Sequence, residues 1–302
     1  MTLLSRTLAE AGRIVQGKPE QLQLALATVL AGGHLLIEDV PGVGKTTLSH
    51  TLAHVLGLSF RRIQFTSDLV PADVLGGAVY SPESQSFTVI KGPIFAQIVL
   101  ADELNRASPK AQSALLEAME EDQVSLEGEA FALPKPFVVM ATQNPLDMAG
   151  THALPESQLD RFLVSMSMGY PDATVERSLI AGQATRLEYN ALTPVLDPQQ
   201  ITRLQAEVKN VHLSEPLLDY LQALVYASRE HSEIQLGLSP RAALGLARLA
   251  QAWAMLKGRD YVQPDDVQAV FVPVAKHRLQ TRQNTDGRLL AEQLLADTPL
   301  GD

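Results

Sequence analysis

Residues His34 to Thr47, His-Leu-Leu-Ile-Glu-Asp-Val-Pro-Gly-Val-Gly-Lys-Thr-Thr, constrain the chain more than any other stretch. A β-compatible run predicts a strand, Pro41-Gly42-Val43-Gly44 predicts a tight loop, and Leu48 opens a helical pattern that continues to Leu56. Strand, small-residue loop and helix in that order make a phosphate cradle. Backbone N–H groups converge where Gly42 and Gly44 let the chain curl, and the opening helix adds the positive end of its dipole. Lys45 adds a point charge, and the hydroxyl of Thr46, followed by Thr47, can ligate Mg²⁺. Asp39 stands where the generic pattern has its leading glycine, so loop curvature rests on Pro41 to Gly44.

A loop of this kind needs acids at a neighbouring strand end. Gln97 to Ala101 is an apolar strand that runs into Asp102-Glu103. In open α/β sheets ligands collect at the carboxyl ends of strands, which sets Asp102 to share Mg²⁺ with Thr46 and Glu103 to polarise a water. Pro136 to Thr142 predicts a further buried strand with Asn144 just past its end, either to orient a water or as a plain Asn-Pro turn. Phe162 to Met168 predicts another strand, preceded by Asp160-Arg161. Arg161 suits a phosphate of a neighbouring subunit, or else a salt bridge to Asp160.

The remaining pattern is organised around that core. Two helical segments between residues 3 and 30, split by Gly17-Lys18-Pro19, precede the first strand. Ile14 and Val15 in the link are candidates for an apolar adenine wall, with ordinary core contact as the alternative. Phe60 to Phe65 reads as a strand despite Arg61 and Arg62, and residues 78–92 and 123–133 read as two hairpins. Ser108-Pro109 opens a helix whose acidic end, Glu117 to Asp122, reads as a solvated face. From residue 174 helices are predicted over 174–186, 198–210, 214–230, 239–257 and 264–278, with Trp253 in the core. Arg241 lies in a first helical turn, where a cation opposes the dipole and invites an anionic partner. Lys276, His277, Arg278 and Arg282 read as a solvated basic face.

Composition closes off other classes. The absence of cysteine excludes disulfides and Cys-based zinc sites. No apolar run approaches a membrane span, so a cytoplasmic protein is expected, and a formal charge of −10 speaks against a broad electrostatic grip on nucleic acid.

Together, Val-Pro-Gly-Val-Gly-Lys-Thr, Ala-Asp-Glu-Leu-Asn-Arg-Ala, Ala-Thr-Gln-Asn-Pro, Leu-Pro-Glu-Ser-Gln-Leu-Asp-Arg-Phe and Leu-Ser-Pro-Arg-Ala resemble the MoxR family of AAA+ ATPases over nearly the whole chain. The resemblance implies an α/β P-loop core of three layers, with a parallel sheet and two hairpin insertions, over residues 1–170, followed by a small all-helical lid over 171–302. Lys45 and Thr46 fall on its Walker A positions, Asp102 and Glu103 on Walker B, Asn144 on sensor 1, Arg161 on the arginine finger and Arg241 on sensor 2. Gln16-Gly17-Lys18 departs from the family's Gly-Gln-Glu-like box, and Arg106 has no assigned role. The family implies ATP and Mg²⁺, a hexameric ring, chaperone-like remodelling of protein complexes or metal-cofactor insertion, and a separately encoded von Willebrand factor A domain partner. The alternatives are an ATP-regulated scaffold with negligible turnover and a nucleic-acid motor or loader.

Overall fold

The computed structural model describes residues 2–82, 85–145, 150–181, 192–282 and 285–300. Helices α1 (Leu3–Gly12) and α2 (Pro19–Leu30) lead into β1 (Leu35–Glu38), the phosphate-loop segment and α3 (Lys45–Val55). Then come β2 (Phe60–Gln64), the short α4 (Pro71–Leu75), a hairpin of β3 (Gly76–Ser81) and β4 (Ser86–Lys91), and β5 (Ile98–Asp102). Next are α5 (Pro109–Glu121), a second hairpin of β6 (Gln123–Leu126) and β7 (Glu129–Ala132), β8 (Val138–Gln143), α6 (Glu156–Leu159) and β9 (Val164–Met166).

Five of these strands form one parallel sheet in the order β2-β5-β8-β1-β9. Side chains alternate across it with the period of two expected of strands. Leu35, Ile37, Leu100 and Met140 face the core that holds α2 and α3, while Leu36, Val99, Ala101 and Val139 face the core that holds α5. The result is three layers. β2 tolerates Arg61 and Arg62 because it is an edge strand that buries only Ile63 fully. Both expected hairpins are present as antiparallel pairs.

The helices that follow β9 are α7 (Ala173–Ile180), α8 (Pro198–Val208), α9 (Glu215–Glu230), α10 (Pro240–Leu256), α11 (Pro264–Ala275) and α12 (Gly287–Asp297). The expected end of the helix over 174–186 lies outside the described residues. A small antiparallel ribbon of β10 (Ile234–Leu236) and β11 (Gln280–Thr281) joins these helices, and neither it nor α12 was expected. Both are short or follow a polar stretch that carries no apolar period. Buried lid residues such as Leu246, Val270 and Leu290 are continuous with the core face of α2 and α3. Leu163 closes the seam: a Cβ at Gly33 would stand 2.4 Å from its Cδ2, and one at Gly245 2.7 Å from its Cδ1.

Candidate functional site

The phosphate loop starts where β1 stops. Gly42 and Gly44 have φ of 85° and 96°, the left-handed region that side-chain-bearing residues rarely adopt, and a Cβ at either would meet nothing within 4 Å. Both glycines are therefore set by backbone shape, with open space in front of the loop. Gly44 caps α3, so Lys45 and Thr46 occupy its first turn. Lys45 Nζ donates to the Asp39 carbonyl at 2.6 Å. Burial lowers the Lys45 ammonium from its usual value, against the pull of Asp102, Asp39 and Glu103.

Asp39 now has an account. Its N–H continues the ladder to the Gln143 carbonyl, and it is absent from the positive-φ positions, so no glycine is needed there. Its carboxylate is buried and accepts from Val40 N–H (2.9 Å), Ser167 Oγ (2.8 Å) and Gly169 N–H (2.7 Å). Burial raises this carboxyl, but the bonds from Gly169, Ser167 and Val40 outweigh it and hold the group below the usual carboxylate range. The residue ties the start of the phosphate loop to the segment that leads into the lid.

β5 delivers the two acids. Asp102 Oδ1 accepts from Thr142 Oγ1 at 2.6 Å, and that same hydroxyl accepts from Glu103 N–H at 2.8 Å. Asp102 Oδ2 accepts from Arg62 Nε and Nη2. Glu103 has φ of 56°, an unusual value for a side-chain-bearing residue and one that collects at functional sites. Its Oε2 accepts from Gln64 Nε2 at 3.1 Å and from Arg106 Nη1 at 3.3 Å, which places Arg106 beside the acid. Asn144 directly follows β8. Loop, acids and amide thus gather at the carboxyl ends of β1, β5 and β8, which are adjacent in the sheet. Sequence reasoning missed Arg62, Gln64 and Thr142. The available signal was the i, i+2 spacing of Arg62 and Gln64, which puts both on one face of β2.

Arg161 and Arg241 lie elsewhere. Leu35, at the start of β1, is level with Val164, so Arg161 sits at the amino end of the sheet. The four residues of β1 separate it from the loop by about 13 Å at ~3.3 Å per residue. Arg161 Nη2 pairs with Glu120 Oε2 at 2.6 Å, and Arg241 pairs with the other oxygen of the same carboxylate. Two expectations are corrected here. The salt-bridge partner of Arg161 is Glu120 and not Asp160, and the acidic end of α5 is not merely solvated. Glu120 is also an anionic partner of Arg241 within the chain. Asp160 instead accepts from Ser239 Oγ (2.9 Å) and Arg278 Nε (2.7 Å). Arg278 is 7% exposed and His277 Nε2 lies 2.9 Å from the Phe162 carbonyl, so these two are internal contacts rather than a solvated face, whereas Arg282 is exposed as expected. α11 ends at Ala275, which turns these side chains inward.

Residues 34–164 match the ATPase family associated with various cellular activities (AAA), and residues 226–297 match the AAA lid domain. The chain is 41% identical to the chaperone MoxR1 of Mycobacterium tuberculosis, over 91% of this chain and 75% of that one. It is 30% identical to the protein MoxR of Methylorubrum extorquens, over 89% and 85%. The chain belongs to the MoxR family of AAA+ ATPases. An uncharacterised relative, YeaC of Bacillus subtilis, is 46% identical over 92% of this chain and 87% of its own. A crystal structure of a candidate ATPase from Cytophaga hutchinsonii superposes with a TM-score of 0.91 at 35% identity, covering 99% of this chain and 95% of that one. As a MoxR-family member the chain binds nucleotide and hydrolyses ATP, and the fold above is the AAA core with its helical lid.

Val15 is buried and lines a pocket of about 280 Å³ with Leu8, Gly12, Pro19 and Leu22, to which no residue of the phosphate loop contributes. Ile14 packs on the main core without lining that pocket. Lys18 Nζ donates to the Tyr170 carbonyl at 2.7 Å, so the link between α1 and α2 and the approach to the lid are tied together. Among the described residues no helix is long and apolar enough to cross a membrane.

Proposed function

We propose that this MoxR-family ATPase is a chaperone-like motor whose active site is completed by a second copy of the chain. One observation carries this: Arg161 and Arg241 share Glu120 at the amino end of the sheet, whereas the phosphate loop, Asp102 and Glu103 lie at the carboxyl end. Two arginines that far from their own loop serve a neighbour's nucleotide. Among the described residues Arg161 Nε is buried without a hydrogen-bond partner, while its Nη2 holds Glu120.

In this reading the backbone of Pro41 to Gly44 cradles the phosphates of ATP, Lys45 leaves the Asp39 carbonyl to reach them, and Thr47 lines the loop's exit. Ile14 and Val15 flank the adenine. Thr46 and Asp102 hold Mg²⁺. Among the described residues no group of three or more His, Cys, Asp or Glu could hold a metal alone, which suits an ion shared with phosphate oxygens and water. Bound there, Mg²⁺ supplies a Lewis acid to the phosphates. Glu103 polarises water, Asn144 orients it, and the neighbour's Arg161 and Arg241 offset the developing charge.

The unit is a hexameric ring in the cytoplasm, with core 1–170 and lid 171–302 in each subunit. It remodels protein complexes, with metal-cofactor insertion as one form of that work, beside a separately encoded von Willebrand factor A domain protein. Exposed Val79, Phe87 and Ile90 on the β3–β4 hairpin support a protein client. The test is Glu103→Gln, which should bind ATP without turnover and capture the partner complex. Normal hydrolysis by that variant would remove Glu103 from its role.

A further inference from the structure

We propose that Arg278 is a positioning residue that holds Arg161 and Arg241 as one two-pronged anion clamp. The inference rests on the composite-site reading. Its basis is a polar node where lid and core meet, built on a buried guanidinium. Arg278 Nε donates to Asp160 Oδ1 at 2.7 Å, and Nη2 donates to the carbonyls of Asp160 (3.1 Å) and Phe162 (2.6 Å). Nη1 donates to the carbonyls of Leu163 (3.1 Å) and Val274 (2.5 Å). The carbonyls before and after Arg161 are therefore both held by one planar fork.

The second prong is reached through Asp160. Its other oxygen accepts from Ser239, the residue that caps α10 by accepting from Ala242 N–H at 3.0 Å. Arg241 follows two residues later, in the first turn of that helix. Asp160 thus joins Arg278 to the backbone that carries each arginine, and Glu120 joins the two guanidinium groups at their tips. A buried ion pair is a weak source of net stability, since an apolar group of similar volume often does as well. What an apolar side chain cannot supply is a fixed set of donors for the backbone on both sides of Arg161. Arg278 contacts residues 160 to 163, just before β9 and at the end of the sheet opposite the phosphate loop, so its effect should fall on the neighbour's nucleotide.

The experiment uses mixed assemblies of full-length chains. Equimolar Glu103→Gln and Arg161→Ala chains should regain ATPase activity, because the first lends an intact Arg161 to the complete nucleotide site of the second. Placing Arg278→Met in the Glu103→Gln chain should remove the recovery by about 10²-fold, the cost of an ångström-scale misplacement. Placing it in the Arg161→Ala chain should leave the recovery intact. A generally damaged fold would lower both mixtures alike, and an irrelevant Arg278 would lower neither; either result overturns the inference. Arg278→Lys, with fewer donors and the charge kept, should give partial recovery in the donor position and serves if the Met variant does not fold. No recovery in the parental mixture would overturn the composite site itself.

Discussion

Arg62 donates from Nε at 3.0 Å and from Nη2 at 2.5 Å to a single oxygen, Oδ2, of Asp102. The cation therefore stands on the acid proposed to share Mg²⁺, with Thr142 holding the other oxygen. A guanidinium and a divalent ion compete for one carboxylate, so Arg62→Ala should lower the Mg²⁺ concentration needed for tight nucleotide binding several-fold. Mg²⁺ titration of a fluorescent ATP analogue reads this without turnover. An unchanged or raised requirement would show that Arg62 does not guard the site.

The strands, the phosphate loop and the acids were legible because they depend on local order: apolar runs, glycines and strand ends that chemistry uses in sequence. What was hidden depends on pairing across the fold. Arg161 has Asp160 next to it in the chain, yet its partner is Glu120, and Asp160 serves Arg278, 118 positions away. Arg62 and Gln64 sit in a segment whose pattern predicts only a strand, and their approach to the acids depends on β2 lying beside β5. Asp39 looked like a defect in a glycine pattern, and only Ser167 and Gly169 from the far end of the core give it a purpose.

Those bonds make Asp39 a source of pH-dependent stability. Its folded-state carboxyl titrates below the ordinary range, so the stabilisation is present above the unfolded carboxylate value and is lost as pH falls through the folded one. Asp39→Ala should cost roughly 1–3 kcal/mol near neutrality, the penalty for stranding buried donors, and much less at strongly acid pH. Thermal unfolding at both pH values checks it. Nucleotide affinity should change little, because Lys45 uses the backbone carbonyl at this position.

His34 gives a signature of the same sign at milder pH. Its Nδ1 accepts from Val139 N–H at 3.0 Å, and burial lowers the ring from 6.5 to about 4 despite Met119 and Asp122. Between those values the unfolded chain binds a proton that the folded one does not, so stability falls as pH drops from 6.5 towards 4. The whole window is worth of the order of 3 kcal/mol. His34→Gln, which can still accept from Val139, should flatten that slope in urea unfolding followed against pH. A gap between the two proteins that stays constant across the window would rule the histidine out.

Glu120 offers the most direct test of the paired arginines. Two guanidinium groups held side by side repel, and the single carboxylate that accepts from both neutralises that repulsion and fixes their spacing. Glu120→Gln keeps the shape and removes the charge, so the pair should splay. We expect kcat in the assembled state to fall by about 10-fold or more while ATP binding is spared, since positioning and not ground-state affinity is lost. If Arg241 acts through this shared contact, Arg241→Ala should add little in the Glu120→Gln background, and a double-mutant cycle on kcat should show strong coupling. Fully additive losses would mean that Arg241 works independently of Glu120, and the two-pronged clamp would reduce to Arg161 alone.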